Sequence, residues 1–345
     1  MKFSVKLSLF FSAIVLIIGA IISYLSYSSN LKQLEGQIKE NLEERVFHTL
    51  DKLDRVFYER YVDIKDLASD SVISSRSSTP RQITERLMEY QKRNKVYVSL
   101  SFFDLNRIRI ADTTGKDIGK QYPLEGYWKD ISEGKDFIGS VRNSISLKEP
   151  VFHFASVVRD KNGTLLGVVV SRIRVDAFYD IVKQAAGIHE DEKALEIDLL
   201  DKNGLILFSN YNPDGILKEI SHDWEFIKGI TAEKKIGSVR HTCEGRDQFT
   251  TFASEEGYRD YKGNDWKLVL CIPTKSALAS AVGLRNKMII IFLTASGIAA
   301  FLIYFLSRRI SKPVENLTNA SAEVAKGNLD VKVEVTSKDE IGQLS

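Results

Sequence analysis

The sequence predicts an α+β protein, in which a duplicated antiparallel-sheet module is carried on a long helix between two apolar segments of membrane-spanning length. Three observations carry this. The pentapeptide IGSVR occurs at Ile138 to Arg142 and again at Ile236 to Arg240, 98 residues apart, and each copy is followed sixteen residues after its Ile by FAS. Two stretches, Leu7 to Tyr27 and Met288 to Leu306, contain no Asp, Glu, Lys, Arg or His. Between the first of these and the strand-type region, apolar residues recur every three or four positions.

The uncharged stretches set the frame. They are 21 and 19 residues long, and at about 1.5 Å per residue each matches a hydrocarbon core of roughly 30 Å. The first exceeds a signal-peptide core and continues into a helical pattern without a turn, which favours an uncleaved anchor over a cleaved leader. Lys2 and Lys6 precede the first span, and Arg308, Arg309 and Lys312 follow the second. Cations of that placement mark the cytoplasmic side. The expected topology is a cytoplasmic residue 1–6 segment, spans at 7–29 and 287–306, an extracytoplasmic part at 30–286, and a cytoplasmic tail at 307–345, in the cell membrane. The formal net charge is only +2, so nothing points to a nucleic-acid partner. Cys243 and Cys271 both fall in the exported part, where either a disulfide or two buried thiols fit the sequence.

Leu31, Leu34, Ile38, Leu42, Val46, Leu50, Leu53, Phe57, Tyr61 and Ile64 form one helical stripe, with charged residues on the other faces. This predicts a stalk helix over 30–70. The segment SVISSRSSTP, Ser71 to Pro80, breaks it. Short β-rich runs then follow at Val96 to Asp104, Arg107 to Asp112, Phe137 to Arg142, Val151 to Asp160 and Leu165 to Val175. Between the last two sits DKNG, Asp160 to Gly163, whose Asn-Gly pair predicts a type I′ hairpin turn. A second set of runs carries another DKNG at Asp201 to Gly204, and Asp104 and Asn106 match Asp201 and Asn203 at an offset of 97. Repeated motifs at nearly constant offset predict two copies of one module, at about 71–187 and 188–280.

A long helix leaving a membrane span, two tandem sheet modules and the closing stretch GYRDYKGNDWKLVLCIP, Gly257 to Pro273, resemble the double Cache sensor domains of prokaryotic chemoreceptors and sensor kinases. The resemblance implies PAS-like modules with a ligand pocket in the membrane-distal one. The tail from Ser307 to Ser345 resembles a HAMP linker. It has Pro313 after the span, a break at Gly327 to Leu329, and DEIG at Asp339 to Gly342. Ile310, Leu317 and Val324 recur every seven residues, as one core position of a parallel coiled coil does. That apolar seam implies a homodimer. The second HAMP helix is barely begun at Ser345, so either the sequence is a fragment or its output domain belongs to another chain.

No Walker loop, Gly-x-Ser-x-Gly elbow or His-Glu-x-x-His pair is present, so no catalytic residue is assigned. The five histidines have no metal-ligand spacing, and neither a metal nor a cofactor is expected. The expected function is that of a transmembrane receptor for a small extracellular molecule, signalling to cytoplasmic proteins such as those of chemotaxis. The alternative is the input half of a sensor histidine kinase or nucleotide cyclase.

Within the resemblance, Tyr127 and Trp128 stand where amino-acid-binding relatives have an aromatic pair. Arg172 stands where an aspartate commonly grips a ligand amine, and Glu125 stands where an arginine is expected. The strand pattern places Val168, Val170 and Arg172 on one face, and His153 opposite Phe152 and Phe154. Arg142, with Arg240 at the equivalent place in the second copy, is either a further cation of the site or structural in both copies. A guanidinium in place of a carboxylate reverses the preference toward a carboxylate ligand. The candidate site residues are therefore Tyr127, Trp128, Arg142, His153 and Arg172. The expected ligand is a small carboxylate rather than an α-amino acid.

Overall fold

One helix, α1 (Phe3–Ser69), carries both apolar patterns of the first seventy residues. The structure is a computed structural model that describes residues 3 to 326 apart from 125–126, 133–134, 136, 145–146, 186–194 and 244. These residues fall into two units, Gln37–Ala277 and Met1–Gly36 with Leu278–Ser345.

In the unit of residues 37 to 277, Leu42, Val46, Leu50, Leu53, Phe57 and Ile64 of the predicted stripe are buried on α1. After α1 comes α2 (Pro80–Arg93), begun by a capping box in which Thr79 accepts from the Gln82 amide and Gln82 accepts from the Thr79 amide. The first sheet contains β1 (Tyr97–Asp104), β2 (Arg109–Asp112), β3 (Phe137–Asn143), β4 (Pro150–Arg159) and β5 (Leu165–Arg174), with α3 (Tyr127–Ser132) between β2 and β3. Its strand order is β2-β1-β5-β4-β3, antiparallel throughout. After α4 (Asp176–Ala185) the second sheet follows, with β6 (Glu196–Leu200), β7 (Ile206–Ser209), α5 (Trp224–Glu233), β8 (Ile236–Cys243), β9 (Arg246–Ser254) and β10 (Lys267–Pro273). Its order, β7-β6-β10-β9-β8, is the same arrangement. IGSVR forms the edge strands β3 and β8, FAS lies in β4 and β9, and the pairing Ile138 with Ala155 recurs as Ile236 with Ala253.

Every described hairpin of the Asp-x-Asn type is held the same way. Asp104 Oδ1 accepts from the amides of Asn106 and Ile108. Asp160 does so from Asn162 and Thr164, and Asp201 from Asn203 and Leu205. This corrects the expected type I′ turn at Asp160 to Gly163. Gly163 has positive φ and Asn162 does not, because the aspartate draws the Asn162 amide into an Asx turn. The hairpin is a type I turn followed by a left-handed glycine, and β4 and β5 shift register beside it.

The helix α1 packs along both sheets. Lys39 lies over the Phe249 ring of β9, the Gly257 amide donates to Asp54, and the Tyr97 hydroxyl donates to Asp63. Phe57 stacks on Phe178 at 4.9 Å and touches Phe152, Phe154, Tyr261 and Trp266. It therefore joins the first sheet to the loop that closes the second. The Phe152 and Phe154 face of the first sheet is thereby covered by helix, and its other face is available to Tyr122 and α3.

The remaining unit holds the first part of α1 and α7 (Ala279–Ala325), which follows the short α6 (Thr274–Ala277). Both helices contain stretches long and apolar enough to cross a membrane. Many of their apolar side chains are exposed, with Ile22 at 61% and Ile291 at 67%, which suits lipid contact rather than an aqueous surface. The α1 backbone at Gly19 lies so close to Phe292 that a Cβ would stand 2.5 Å from that ring. Pro313 lies within α7. The expected Gly327 to Leu329 break and DEIG motif lie outside the described residues.

Candidate functional site

On the first sheet's second face, side chains alternate into two zones. Phe103, Ala155, Val168 and Val170 form an apolar floor with Tyr122 and with Trp128 of α3. The Phe103 ring meets Tyr122 edge-on at 5.2 Å and Trp128 at 5.6 Å. Tyr122 is anchored by Arg107, whose Nε donates to its carbonyl. Beside this floor the same face turns polar, because β5 ends Val168, Val170, Arg172 and β1 supplies Ser99 and Ser101 opposite.

Arg172 is 2% exposed, and its Nη1 donates to Ser99 Oγ at 2.7 Å and Ser101 Oγ at 2.8 Å. Its ladder partner on β4 is His153, also buried. Arg109, which opens β2, is fully buried, with its guanidinium over the Phe103 and Tyr122 rings. The carboxylate between the two arginines is Asp112, 3.4 Å from Arg109 Nη1 and 3.8 Å from Arg172 Nη1. Asp117 lies at the rim, 3.9 Å from Arg109. The buried cluster therefore holds two guanidiniums and one carboxylate. Arg109 Nη1 also donates to the Lys116 carbonyl, but its Nε and Nη2 have no partner among the described residues. Buried donors left so are costly. Burial, then the charges of Arg142 and Arg172, depress the His153 pKa well below the usual imidazole value. The ring is neutral in a field of positive sign.

Of the sequence-predicted residues, the fold brings Trp128, Arg142, His153 and Arg172 to this face. Tyr127 opens α3, and its side chain lies outside the described residues. Arg172 is not a solvated strand-end residue, and His153 does face away from the phenylalanines. Arg109, Asp112, Ser99 and Ser101 escaped the sequence reading. The signal for Arg109 and Asp112 was RIRIAD, in which Arg alternates with Ile as in any half-exposed strand, and that for Ser99 and Ser101 was the equally ordinary alternation of VYVSLSFFD.

The second module shows what the fold requires without a cluster. Traced across the ladders from β7, the residues at the His153 and Arg172 places are Thr250 and Cys271, and those at the Ser99 and Ser101 places are Glu196 and Asp198. The ends of β2, Arg109 and Asp112, correspond to Ile206 and Ser209 at the ends of β7. The second sheet thus forms with uncharged residues at the Arg109, Asp112, His153 and Arg172 places and with carboxylates at the two serine places. Arg240 pairs bidentately with Asp247 in an exposed ion pair, whereas Glu149, at the position of Asp247, pairs with Arg174. Cys243 and Cys271 are both buried and unbridged.

A family profile described as Cache domain, of the double type, matches residues 28–281, and a HAMP domain profile matches residues 305–345. The chain belongs to the double Cache family. This Cache protein is 22% identical over 350 residues to the methyl-accepting chemotaxis protein TlpA of Bacillus subtilis, covering 99% of the chain and 49% of TlpA. It is 29% identical over 111 residues to TlpB of the same organism, covering 32% of the chain and 16% of TlpB. The chain thus spans about half the length of the first relative, or less of the second. Among solved structures, the ligand-binding domain of the Pseudomonas fluorescens chemoreceptor CtaA in complex with L-isoleucine superposes with a TM-score of 0.55 at 12% identity, covering 72% of this chain and 98% of that one. The Pseudomonas aeruginosa PAO1 amino-acid chemoreceptor PctB domain with L-Gln gives 0.54 at 17%, covering 69% and 92%. These likenesses establish the shared Cache fold.

Proposed function

We propose that this Cache protein is the sensing and membrane-spanning part of a chemotaxis-type receptor, and that its first module binds a small carboxylate. The observation that carries the ligand class is the buried excess of guanidinium over carboxylate at Arg109, Asp112 and Arg172, at places where the second module has Ile206, Ser209 and Cys271. A carboxylate accepting from Arg109 Nε and Nη2 supplies the missing charge and two charge-assisted hydrogen bonds. Arg142 adds cationic field, neutral His153 is a further polar contact, and the Phe103, Tyr122 and Trp128 rings, with Tyr127, wall the apolar part of the ligand. The chain crosses the membrane twice in this reading, with residues about 30–286 outside, and works as a homodimer whose cytoplasmic partners are signalling proteins. Ligand binding acts through its differential affinity for two states of the receptor, typically 1 to 3 kcal/mol of coupling.

The test is calorimetric titration of the detergent-solubilised full chain with mono- and dicarboxylic acids and with α-amino acids. Carboxylates binding to wild type, with affinity lost in Arg172→Leu by about 2 to 5 kcal/mol, is the expected result. Amino acids binding equally to both proteins would overturn the ligand class. A second reading, the input half of a sensor kinase, rests on 48% identity over 56 residues to the Sensor protein SrrB of Staphylococcus aureus, 16% of this chain and 9% of SrrB. A phosphoacceptor histidine helix adjoining the HAMP segment would decide for it.

A further inference from the structure

The second module gathers a donor set that carboxylate binding leaves unused. His222 and Asp223 stand just ahead of α5, and β8 brings His241 and Cys243, two residues apart, to one strand face. One donor atom each from His222, Asp223 and Cys243 lies within 4.8 Å of the other two. His222 Nε2 is 3.1 Å from Cys243 Sγ and 3.8 Å from Asp223 Oδ2. The second carboxylate oxygen, Oδ1, is 3.8 Å from His241 Nε2, whose ring stacks on Phe226 at 3.7 Å. Asp223 occupies the N-cap position of α5 yet makes no side-chain capping bond. A capping aspartate ordinarily accepts from the helix amides; this one is turned toward the imidazoles instead.

These separations are those of a coordination shell. With metal–sulfur bonds of about 2.3 Å and metal–nitrogen or –oxygen bonds of about 2.0 to 2.1 Å, neighbouring donors on a tetrahedron stand roughly 3.3 to 3.6 Å apart. The 3.1 and 3.8 Å pairs need shifts of a few tenths of an ångström and the Asp223 to Cys243 pair, within 4.8 Å, a shift of up to about 1 Å to close the shell. A thiol, an imidazole and a carboxylate together select the zinc class of divalent transition ions over calcium or magnesium, which take oxygen donors.

We propose that His222 Nε2, Asp223 Oδ2 and Cys243 Sγ bind one divalent transition-metal ion of the zinc class in the second module. His241 supports the carboxylate from its other oxygen, as outer partners of metal ligands do. Cys243 binds as thiolate, so each ion taken up releases the thiol proton to solvent. His222 is half exposed, which leaves the fourth position on the solvent side. The ion ties the start of α5 to the edge strand β8. Sequence spacing hid the set, since all of α5 separates its two halves.

The probe is cobalt(II) added to the reduced, detergent-solubilised full chain, a metal whose thiolate bonds absorb in the near ultraviolet. Wild type is expected to bind one cobalt per chain with that charge-transfer band, and zinc is expected to bleach it. Cys243→Ser loses the band, His222→Ala weakens cobalt binding at least about tenfold, and Cys271→Ser behaves as wild type. Zinc raises the melting temperature of wild type and Cys271→Ser but not of Cys243→Ser, and melting without metal shows which variants fold. No band in folded wild type, a band surviving in Cys243→Ser, or undiminished binding in folded His222→Ala would each overturn the site.

Discussion

At the scale of single residues, the first module has Arg109, Asp112 and Arg172 where its twin has Ile206, Ser209 and Cys271. Arg172→Leu puts an uncharged side chain where the second module has the uncharged Cys271, and Asp112 keeps Arg109 and Ser101 as partners. A surplus buried cation contributes little to stability once it can be replaced by a packed apolar side chain. The variant is therefore expected to melt at or above the wild-type temperature while losing carboxylate binding, and a large drop in melting temperature would show the arginine to be structural. A second residue-scale effect lies at Asp54, on the buried side of α1. Burial, and then the charge of Glu255, push its carboxyl up to about 8 from the usual 3.8. An acid whose pKa is raised in the fold stabilises the fold while protonated. That contribution is complete below about pH 4, erodes as pH rises, and is lost through about pH 8. Asp54→Asn mimics the protonated form, so its melting temperature relative to wild type is expected to climb between about pH 5 and pH 8. A difference that stays constant over that range would sink this assignment.

At the scale of elements, α1 acts as the common wall of both modules. Phe57 touches β4 of the first sheet, Phe178 of α4, and Tyr261 and Trp266 beside the second sheet. Truncating such a fully buried ring forfeits its transfer free energy and leaves a cavity. Phe57→Ala is expected to cost about 3 to 5 kcal/mol in denaturant unfolding. Because the ring touches both modules, the loss should appear in probes of each; a transition confined to one module would contradict its bridging role. The strand β5 carries a tighter constraint. A Cβ on Gly167 would lie 2.2 Å from the Phe103 carbonyl oxygen and 2.7 Å from the Phe102 ring. Since backbone cannot yield as a side-chain tip can, Gly167→Ala is expected to destabilise by about 1 to 3 kcal/mol. It should also weaken carboxylate binding, because it displaces the strand that aims Arg172.

At the scale of the whole molecule, the seven-residue recurrence at the end of α7 leaves Ile310 and Val324 about half exposed in a single chain, with Leu317 partly covered. A parallel pair would bury that seam. Ile310→Cys and Leu317→Cys are each expected to form an intermolecular disulfide under mild oxidation in membranes, and Glu315→Cys, off the seam, is expected to form far less. Equal yields at the three positions would speak against the coiled coil.

What the sequence by itself determined was whatever repeats or keeps a period. The duplication was legible because IGSVR, FAS and the Asp-x-Asn turns recur at offsets of 97 to 98, and the α1 stripe and the two uncharged segments were legible from their spacing. Arg172 and His153 were assigned a face by strand alternation, and Trp128 was singled out by the family resemblance. Which face is buried belongs to the tertiary structure, since alternation has the same period whichever side is covered. RIRIAD therefore looked like an ordinary strand until Phe103 and Tyr122 closed over Arg109. Likewise His222 and Asp223 meet Cys243 only when α5 folds back beside β8. Contacts between residues far apart in sequence carry no local periodicity, so packing alone decided them.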